Sequence, residues 1–415
     1  MSHNNETCAI CTSTDLFPVI DFGRVALAGR FLTEKQLKNE PRYRLQVLFC
    51  EKCYAVQVSH IVPPQELFEN YFYHSSSILT LREHFRDYAK SVVERFMPAK
   101  KGVFVEFGCN DGVLLSPIAD EGIDVVVGVD PATNVISKLN DDRVIVINEY
   151  FSHQLALELF KRFGPADIIS ANNVFAHIPD INDVVRGVKF LLAEDGVFIF
   201  EVHYLGQIIE EFQYDMIYHE HIFYYSLLSI VELTTKHGIA VFDVELVSTH
   251  GGSIRVFCSR STSKYAAQKS KTLEMMIDQE KKLGFHGTEA FSTFLSNVEQ
   301  KRSQLMELIR KLKDQGKTIA GYGASGRANT IIQYCGINSA MIDYIVDDSP
   351  AKQGFFTPGS HIEIKSREIL ASRDRPDYVL VFAWAFSEEI LNKNKKFREN
   401  GGKFILPLPN VKIIG

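Results

Sequence analysis

The chain has 415 residues, with 45 lysines and arginines against 51 acidic residues, and seven cysteines. At roughly 150 residues per domain, that length predicts two or three domains with sizeable cores. The net charge of −6 and a pI near 6.1 exclude a general binder of nucleic acid or anionic membrane. No apolar run reaches the ~18 residues of a membrane span. The opening MSHNNETCAI lacks the basic and apolar regions of a secretory signal, so the expected location is cytoplasmic. Cysteines in a reducing compartment serve as metal ligands, catalysts or core residues more often than as disulfides.

The first predicted element is a metal module. Cys8 and Cys11, then Cys50 and Cys53, form C-x2-C-x38-C-x2-C, each pair at the edge of an expected strand. Two residues between thiolates let each pair grip one ion from a tight turn, and four thiolates without a fifth ligand make a closed, structural zinc site. Cys109, Cys258 and Cys335 stand alone and read as core or near-site residues. Residues 65–97 then read as helix, broken at YHSSS.

From about residue 100, the short apolar runs VFVEF, DVVVGVD, RVIVIN, ADIISANN and GVFIFEVHY alternate with helical patterns, which predicts βαβ units and a parallel sheet. AVFDVELVS and SIRVFCSR flank the link THGG and predict an antiparallel hairpin completing that sheet. Residues 264–315 carry 3–4 apolar spacing and predict long helices at a domain boundary. A second alternating block starts at KTIAGYGASGRANTII. The expected fold is α/β: a zinc module (1–64), a Rossmann-like domain with a helical lead-in (65–262), and a helical linker with a second Rossmann-like domain (263–415).

Two glycine turns carry the ligand signals. In the first, Glu106-Phe107-Gly108-Cys109-Asn110-Asp111-Gly112 joins a strand to a helix, where glycines admit a ligand close to the backbone. Asp130 ends the next strand and suits the hydroxyls of a ribose, whether of NAD or of S-adenosylmethionine. Glu106 before the turn and Asn172 after the fourth strand favour the methyl donor, whose amino-acid end is cationic. In the second turn, Gly321-Tyr322-Gly323-Ala324-Ser325-Gly326-Arg327 is G-x-G-x-x-G at a helix start. It is expected to be an anion or phosphate cradle of unengaged backbone N–H groups with Arg327 close by, for a second dinucleotide or for the diphosphate of a nucleotide-linked substrate.

Between them lies the densest acid–base cluster, Tyr214-Asp215-Met216-Ile217-Tyr218-His219-Glu220-His221-Ile222-Phe223-Tyr224-Tyr225-Ser226, after the fifth strand. His-Glu-His could ligate a metal, but the i, i+4 histidines of a helical zinc motif are missing. The acid–base reading makes a histidine the base, with Glu220 or Tyr218 holding its tautomer and charge. His177 and His250 are expected at the same sheet edge.

These strings together, CxxC…CxxC, YxYxSS, VEFGCNDG, FAHI, YHEH…YYS, THGGSIR, GYGAS and FAW, resemble the nucleotide-sugar C-methyltransferases of deoxysugar pathways over nearly the whole chain. The resemblance implies a class I methyltransferase domain that binds S-adenosylmethionine through Glu106, Gly108, Asn110, Gly112, Asp130 and Asn172. It implies a small-molecule substrate, a 4-keto-6-deoxy sugar nucleotide, methylated at C3 between the middle and C-terminal domains. By the same resemblance His221 is the general base, with Tyr218, Glu220 and His177 beside it. Tyr73, Ser75 and His250 would reach the sugar, and Gly323, Ser325, Gly326 and Arg327 the diphosphate. An O- or N-methyltransferase, or a non-catalytic zinc and Rossmann scaffold, remain the alternatives. The nucleotide base and the oligomeric state, monomer included, stay open.

Overall fold

The computed structural model describes residues 3, 4, 6–63, 66, 67, 76 and 79–415. Tyr73 and Ser75 lie outside the described residues, as does most of the segment expected to break the lead-in helix. That helix is described over Leu79–Phe96 and buries Leu81, Phe85, Tyr88, Ala89, Val92 and Val93 on one stripe.

The middle domain is a seven-stranded sheet. Across it run Val144–Ile147, Val125–Val129, Val103–Phe107, Ala166–Asn172, Leu192–His203, Ser253–Arg260 and Ile239–Val247. The first five are parallel. Helices cover both faces of these strands, which explains their nearly continuous apolar sequences. Ser253–Arg260 inserts antiparallel beside the fifth strand, pairing Glu201 with Arg255, and Ile239–Val247 closes the edge. The expected hairpin is present. The order reverses between Val103–Phe107 and Ala166–Asn172, so a crevice opens at the carboxyl ends of these two strands, at Glu106 and Asn172.

The C-terminal domain repeats the logic in a six-stranded sheet. Its order is Ile364–Ser366, Ile345–Asp347, Ile319–Tyr322, Tyr378–Val381, Lys403–Leu406 and Lys412–Ile414. Only the last pairs antiparallel. Its reversal falls between Ile319–Tyr322, which runs into the glycine cradle, and Tyr378–Val381, which runs into Trp384. Helices Lys271–Lys282 and Glu289–Asp314 fill the linker, as the spacing predicts.

The N-terminal sheet is shared. Its strands Leu16–Ala26, Arg42–Cys50 and Val56–Val58 take a fourth from the middle of the chain, Phe223–Tyr224, paired with Val56 and Gln57. Phe291 of the linker helix packs tilted against Phe49, ring centroids 4.6 Å apart. The cradle helix Gly326–Cys335 reaches the same sheet, where Gln333 accepts from the Ala26 N–H (2.8 Å) and Asn329 donates to the Ala28 carbonyl (2.5 Å). The zinc module is thus docked against both other domains.

Candidate active site

The two cysteine turns share one geometry. Thr12 and Tyr54, each following the second cysteine of a pair, sit in the left-handed region at φ 64° and 60°. Each donates its N–H to the carbonyl of the pair's first cysteine, Thr12 to Cys8 (2.8 Å) and Tyr54 to Cys50 (2.9 Å). The four Sγ atoms converge within 4.8 Å of one another. Cys8 to Cys53 is 3.5 Å and Cys11 to Cys50 is 3.6 Å, close to the ~3.8 Å edge of a tetrahedron with 2.3 Å zinc–sulfur bonds. The donor set fits structural zinc.

At the first crevice, Glu106 is 3% exposed, and burial pushes its carboxyl up to about 8. Asn172 donates its amide to Glu106 Oε1 (3.0 Å) and to Ser170 Oγ (2.9 Å). Glu106 Oε2 and Asn172 Oδ1 are then buried acceptors with no hydrogen-bond partner among the described residues. An ammonium group satisfies such a pair, and a pyrophosphate does not. Asp130 pins the glycine turn, accepting from the N–H of Asn110 (2.9 Å) and of Ala132 (2.8 Å). Both oxygens keep lone pairs for ribose hydroxyls.

The glycines are required for a reason the sequence did not reveal. Gly108 and Gly112 have φ of 69° and 79°, and a Cβ on either would come within 2.6 Å of Val174 or Leu139. The close approach at these positions is made by the protein's own side chains.

The second turn needs a larger correction. The Gly323 N–H is bonded to the Val346 carbonyl (2.8 Å) and the Ala324 N–H to Asp347 Oδ2 (2.8 Å), so two amides expected to face a ligand are engaged inside the fold. Ser325 caps the helix through its hydroxyl, accepting from Ala328 N–H (3.2 Å). Arg327 is not aimed outward. Its Nε donates to Asp215 Oδ2 at 2.7 Å, and its guanidinium carbon lies 4.9 Å from the Trp384 ring centre. Lys352, which the sequence did not single out, reaches this turn by donating to the Ala324 carbonyl (2.7 Å).

The histidine segment divides by direction. His221 faces the middle sheet, its ring 5.0 Å from His177 and 5.8 Å from His203, with the Tyr218 ring tilted against it at 4.2 Å. Burial lowers His177 to about 4, so it is neutral near pH 7. His219 is buried beside Tyr43 of the N-terminal sheet, and burial lowers it to about 4. Glu220 packs over Gly29, and burial raises it to about 7. The Met216 carbonyl lies 2.8 Å from His221 Nδ1 and orients the ring. A carbonyl only accepts, so Nδ1 carries the proton and the neutral ring keeps its basic lone pair on Nε2.

The Tyr218 ring also lies against the start of the cradle helix, 3.6 Å from where a Gly326 Cβ would stand. The histidine segment and the second glycine turn therefore meet. Of His250, the structure describes only the backbone, in the turn Thr249–Gly251. The sequence reading gave no separate role to His203, Asp215 or Trp384. His203 was signalled by its place at the carboxyl end of the fifth strand, and Trp384 by being the chain's one tryptophan, just past a strand end.

The strand order, the first crevice and its paired acceptors define a class I S-adenosylmethionine-dependent methyltransferase carrying a four-cysteine zinc module. Family models match in three consecutive blocks: a "Putative zinc binding domain" over residues 8–68, a "Methyltransferase domain" over 81–244 and a "C-methyltransferase C-terminal domain" over 248–409. The chain is 36% identical over 410 residues to the C-methyltransferase NovU of Streptomyces niveus, covering 99% of this chain and 97% of that one. It belongs to the C-methyltransferase family. Similar solved structures include the magnesium protoporphyrin IX methyltransferase of Synechocystis PCC 6803 with bound S-adenosylmethionine, at 16% identity over 42% of this chain and 79% of that chain, with a TM-score of 0.33. Another is the glycopeptide N-methyltransferase MtfA with the same cofactor, at 14% identity over 46% and 96%, with a TM-score of 0.34.

Proposed function

We propose that this C-methyltransferase acts on C3 of a nucleotide-linked 4-keto-6-deoxy sugar, with His221 as the base that removes the C3 proton. The observation that carries the reading is the 2.8 Å bond from His221 Nδ1 to the Met216 carbonyl, which commits Nε2 to the role of acceptor. A carbon beside a ketone becomes a nucleophile only when its proton leaves. Nε2 takes that proton, the C–H electron pair enters the enolate, and negative charge develops on the 4-oxygen. The Tyr218 hydroxyl is the group beside His221 suited to hydrogen-bond that oxygen, where a buried donor is worth most. His177, held neutral, puts no second imidazolium beside the base. When bound, S-adenosylmethionine would supply an electrophilic methyl group to C3, its C–S electron pair leaving with S-adenosylhomocysteine.

The residues for the two ligands follow the two crevices. Glu106 and Asn172 take the ammonium, Asp130 the ribose, and Gly108, Asn110 and Gly112 shape the turn between them. On the C-terminal side the helix start at Ser325 and Gly326, with Lys352 beside it, would take the diphosphate, while Gly323 shapes the turn and Arg327 supports it from within through Asp215. Tyr73, Ser75 and His250 complete the sugar site from the other modules. The division 1–64, 65–262 and 263–415 is then one of labour: zinc module, donor domain, nucleotide domain.

The test is exchange at C3. In deuterated water without methyl donor, the wild type should exchange the C3 proton of at least one 4-keto-6-deoxy sugar nucleotide. His221→Asn should lose exchange and turnover by a factor of about 10² or more while still binding S-adenosylhomocysteine. Methylation without C3 exchange, or on oxygen, would refute the reading.

A further inference from the structure

We infer that Asp215 is a positioning residue for His221, and that the C-terminal domain holds it in place through Arg327 and Trp384. The inference rests on the reading of His221 as the base. Asp215 is 0% exposed. One of its oxygens, Oδ2, accepts both the Nε–H of Arg327 (2.7 Å) and the Nε1–H of Trp384 (2.8 Å). The guanidinium lies against the indole, so the three groups close a triangle. Asp215 sits in the middle of the short turn Tyr214–Met216, whose last residue presents the carbonyl that binds His221 Nδ1. One peptide separates the anchored carboxylate from the group that fixes the imidazole.

The cradle helix grips this turn along its length. Arg327 holds Asp215, Thr330 donates its hydroxyl to the Ile217 carbonyl (3.0 Å), and Cys335 Sγ meets the Tyr214 hydroxyl (3.6 Å). From the other side Gln213 donates to the Gly251 carbonyl (2.8 Å), which ties in the THGG turn. The helix whose start forms the second glycine turn is therefore the one that sets the register of the base-orienting carbonyl. Trp384 comes from the far side of the same switch point. An ion pair serving only to neutralise Arg327 has no need of the indole donor, nor of a place next to Met216.

The test uses the zinc-loaded full-length protein with S-adenosylhomocysteine bound, labelled with ring-15N histidine. The wild type should show His221 with its proton on Nδ1, assigned by the signal lost in His221→Asn. Asp215→Asn keeps the shape and removes the charge, and Trp384→Phe keeps most of the packing and removes one donor. In both, the His221 ring should move towards a mixture of tautomers. C3 exchange should fall about tenfold or more, the scale on which small misplacements act, with affinity for S-adenosylhomocysteine within twofold. An unchanged His221 signal in either folded variant overturns the inference, and so does unchanged exchange. Should Asp215→Asn fail to fold, Trp384→Phe decides. Should no sugar exchange in the wild type, the base reading fails by itself, while the nitrogen signals still report whether Asp215 orients the ring.

Discussion

Glu106 yields a prediction in which cofactor affinity and protein stability move in opposite directions. With its carboxyl at about 8 against an ordinary ~4.3, the residue is mostly neutral in the free protein at pH 7. The bound donor needs the carboxylate opposite its ammonium. Affinity then follows the ionised fraction of Glu106, which rises about 50-fold from pH 6 to pH 8 and levels off above it. Calorimetry of S-adenosylhomocysteine in buffers of different ionisation enthalpy should show close to one proton released on binding at pH 6.5. 5′-Methylthioadenosine lacks the amino-acid end and should bind with a flat profile. Stability has the reverse sign. The folded pKa is raised, so the folded state holds a proton that the unfolded chain loses, and stability declines as pH rises from about 4.3 towards 8. The full cost is on the order of 5 kcal/mol above pH 8. Glu106→Gln removes that cost, so the cofactor-free variant should melt above the wild type at pH 8 while binding S-adenosylhomocysteine more weakly. A variant less stable than the wild type at pH 8, or a wild-type affinity indifferent to pH between 6 and 8, would show that Glu106 does not face the ammonium.

Zinc removal should cost more than local order. Strand Val56–Val58 begins three residues after Cys53 and carries Phe223–Tyr224, so chelation should lower the melting temperature and also broaden the His221 signals, with zinc restoring both. The two glycines of the first turn should differ. Gly108→Ala brings a Cβ against the branching carbon of Val174, while Gly112→Ala meets the movable end of Leu139. Both incur left-handed strain of about 1 kcal/mol or more, and denaturant melts should rank Gly108→Ala as the more damaging. Lys352→Met should raise the KM for the sugar nucleotide several-fold, leaving donor affinity alone.

What was legible in the sequence was whatever repeats with a short period or a fixed spacing. Apolar runs of strand length, the C-x2-C pairs and the two strand–glycine–helix turns each announce themselves within a dozen residues. The partners of those elements were hidden, because partnership is set in space. Nothing around Gly323 or Ala324 reveals that their amides are taken by Val346 and Asp347. Nothing in YHEH reveals that Glu220 turns towards Gly29 while His221 turns towards His177. Met216 was invisible for a sharper reason: its contribution is a backbone carbonyl, which every residue possesses. Arg327 was found by position and misread by direction, since its partner Asp215 lies 112 residues away.

The histidine segment belongs to none of the three modules alone. The N-terminal sheet takes Phe223–Tyr224 as a strand, and the Val58 N–H bonds the Ile222 carbonyl at 2.9 Å. The middle domain answers on the other side, Ile222 donating its N–H to the Ala176 carbonyl (2.8 Å), next to His177. The C-terminal domain holds Asp215 and Ile217. Three independent grips on about ten residues leave His221 little freedom. Base chemistry on a weakly acidic carbon needs such fixity, because proton transfer falls steeply with misalignment. A minimal donor domain of this fold has no second or third grip. With His221 as the proposed base, the N- and C-terminal modules would supply geometry to the reaction, and an isolated middle domain carrying Tyr218–His221 should bind donor without moving a C3 proton.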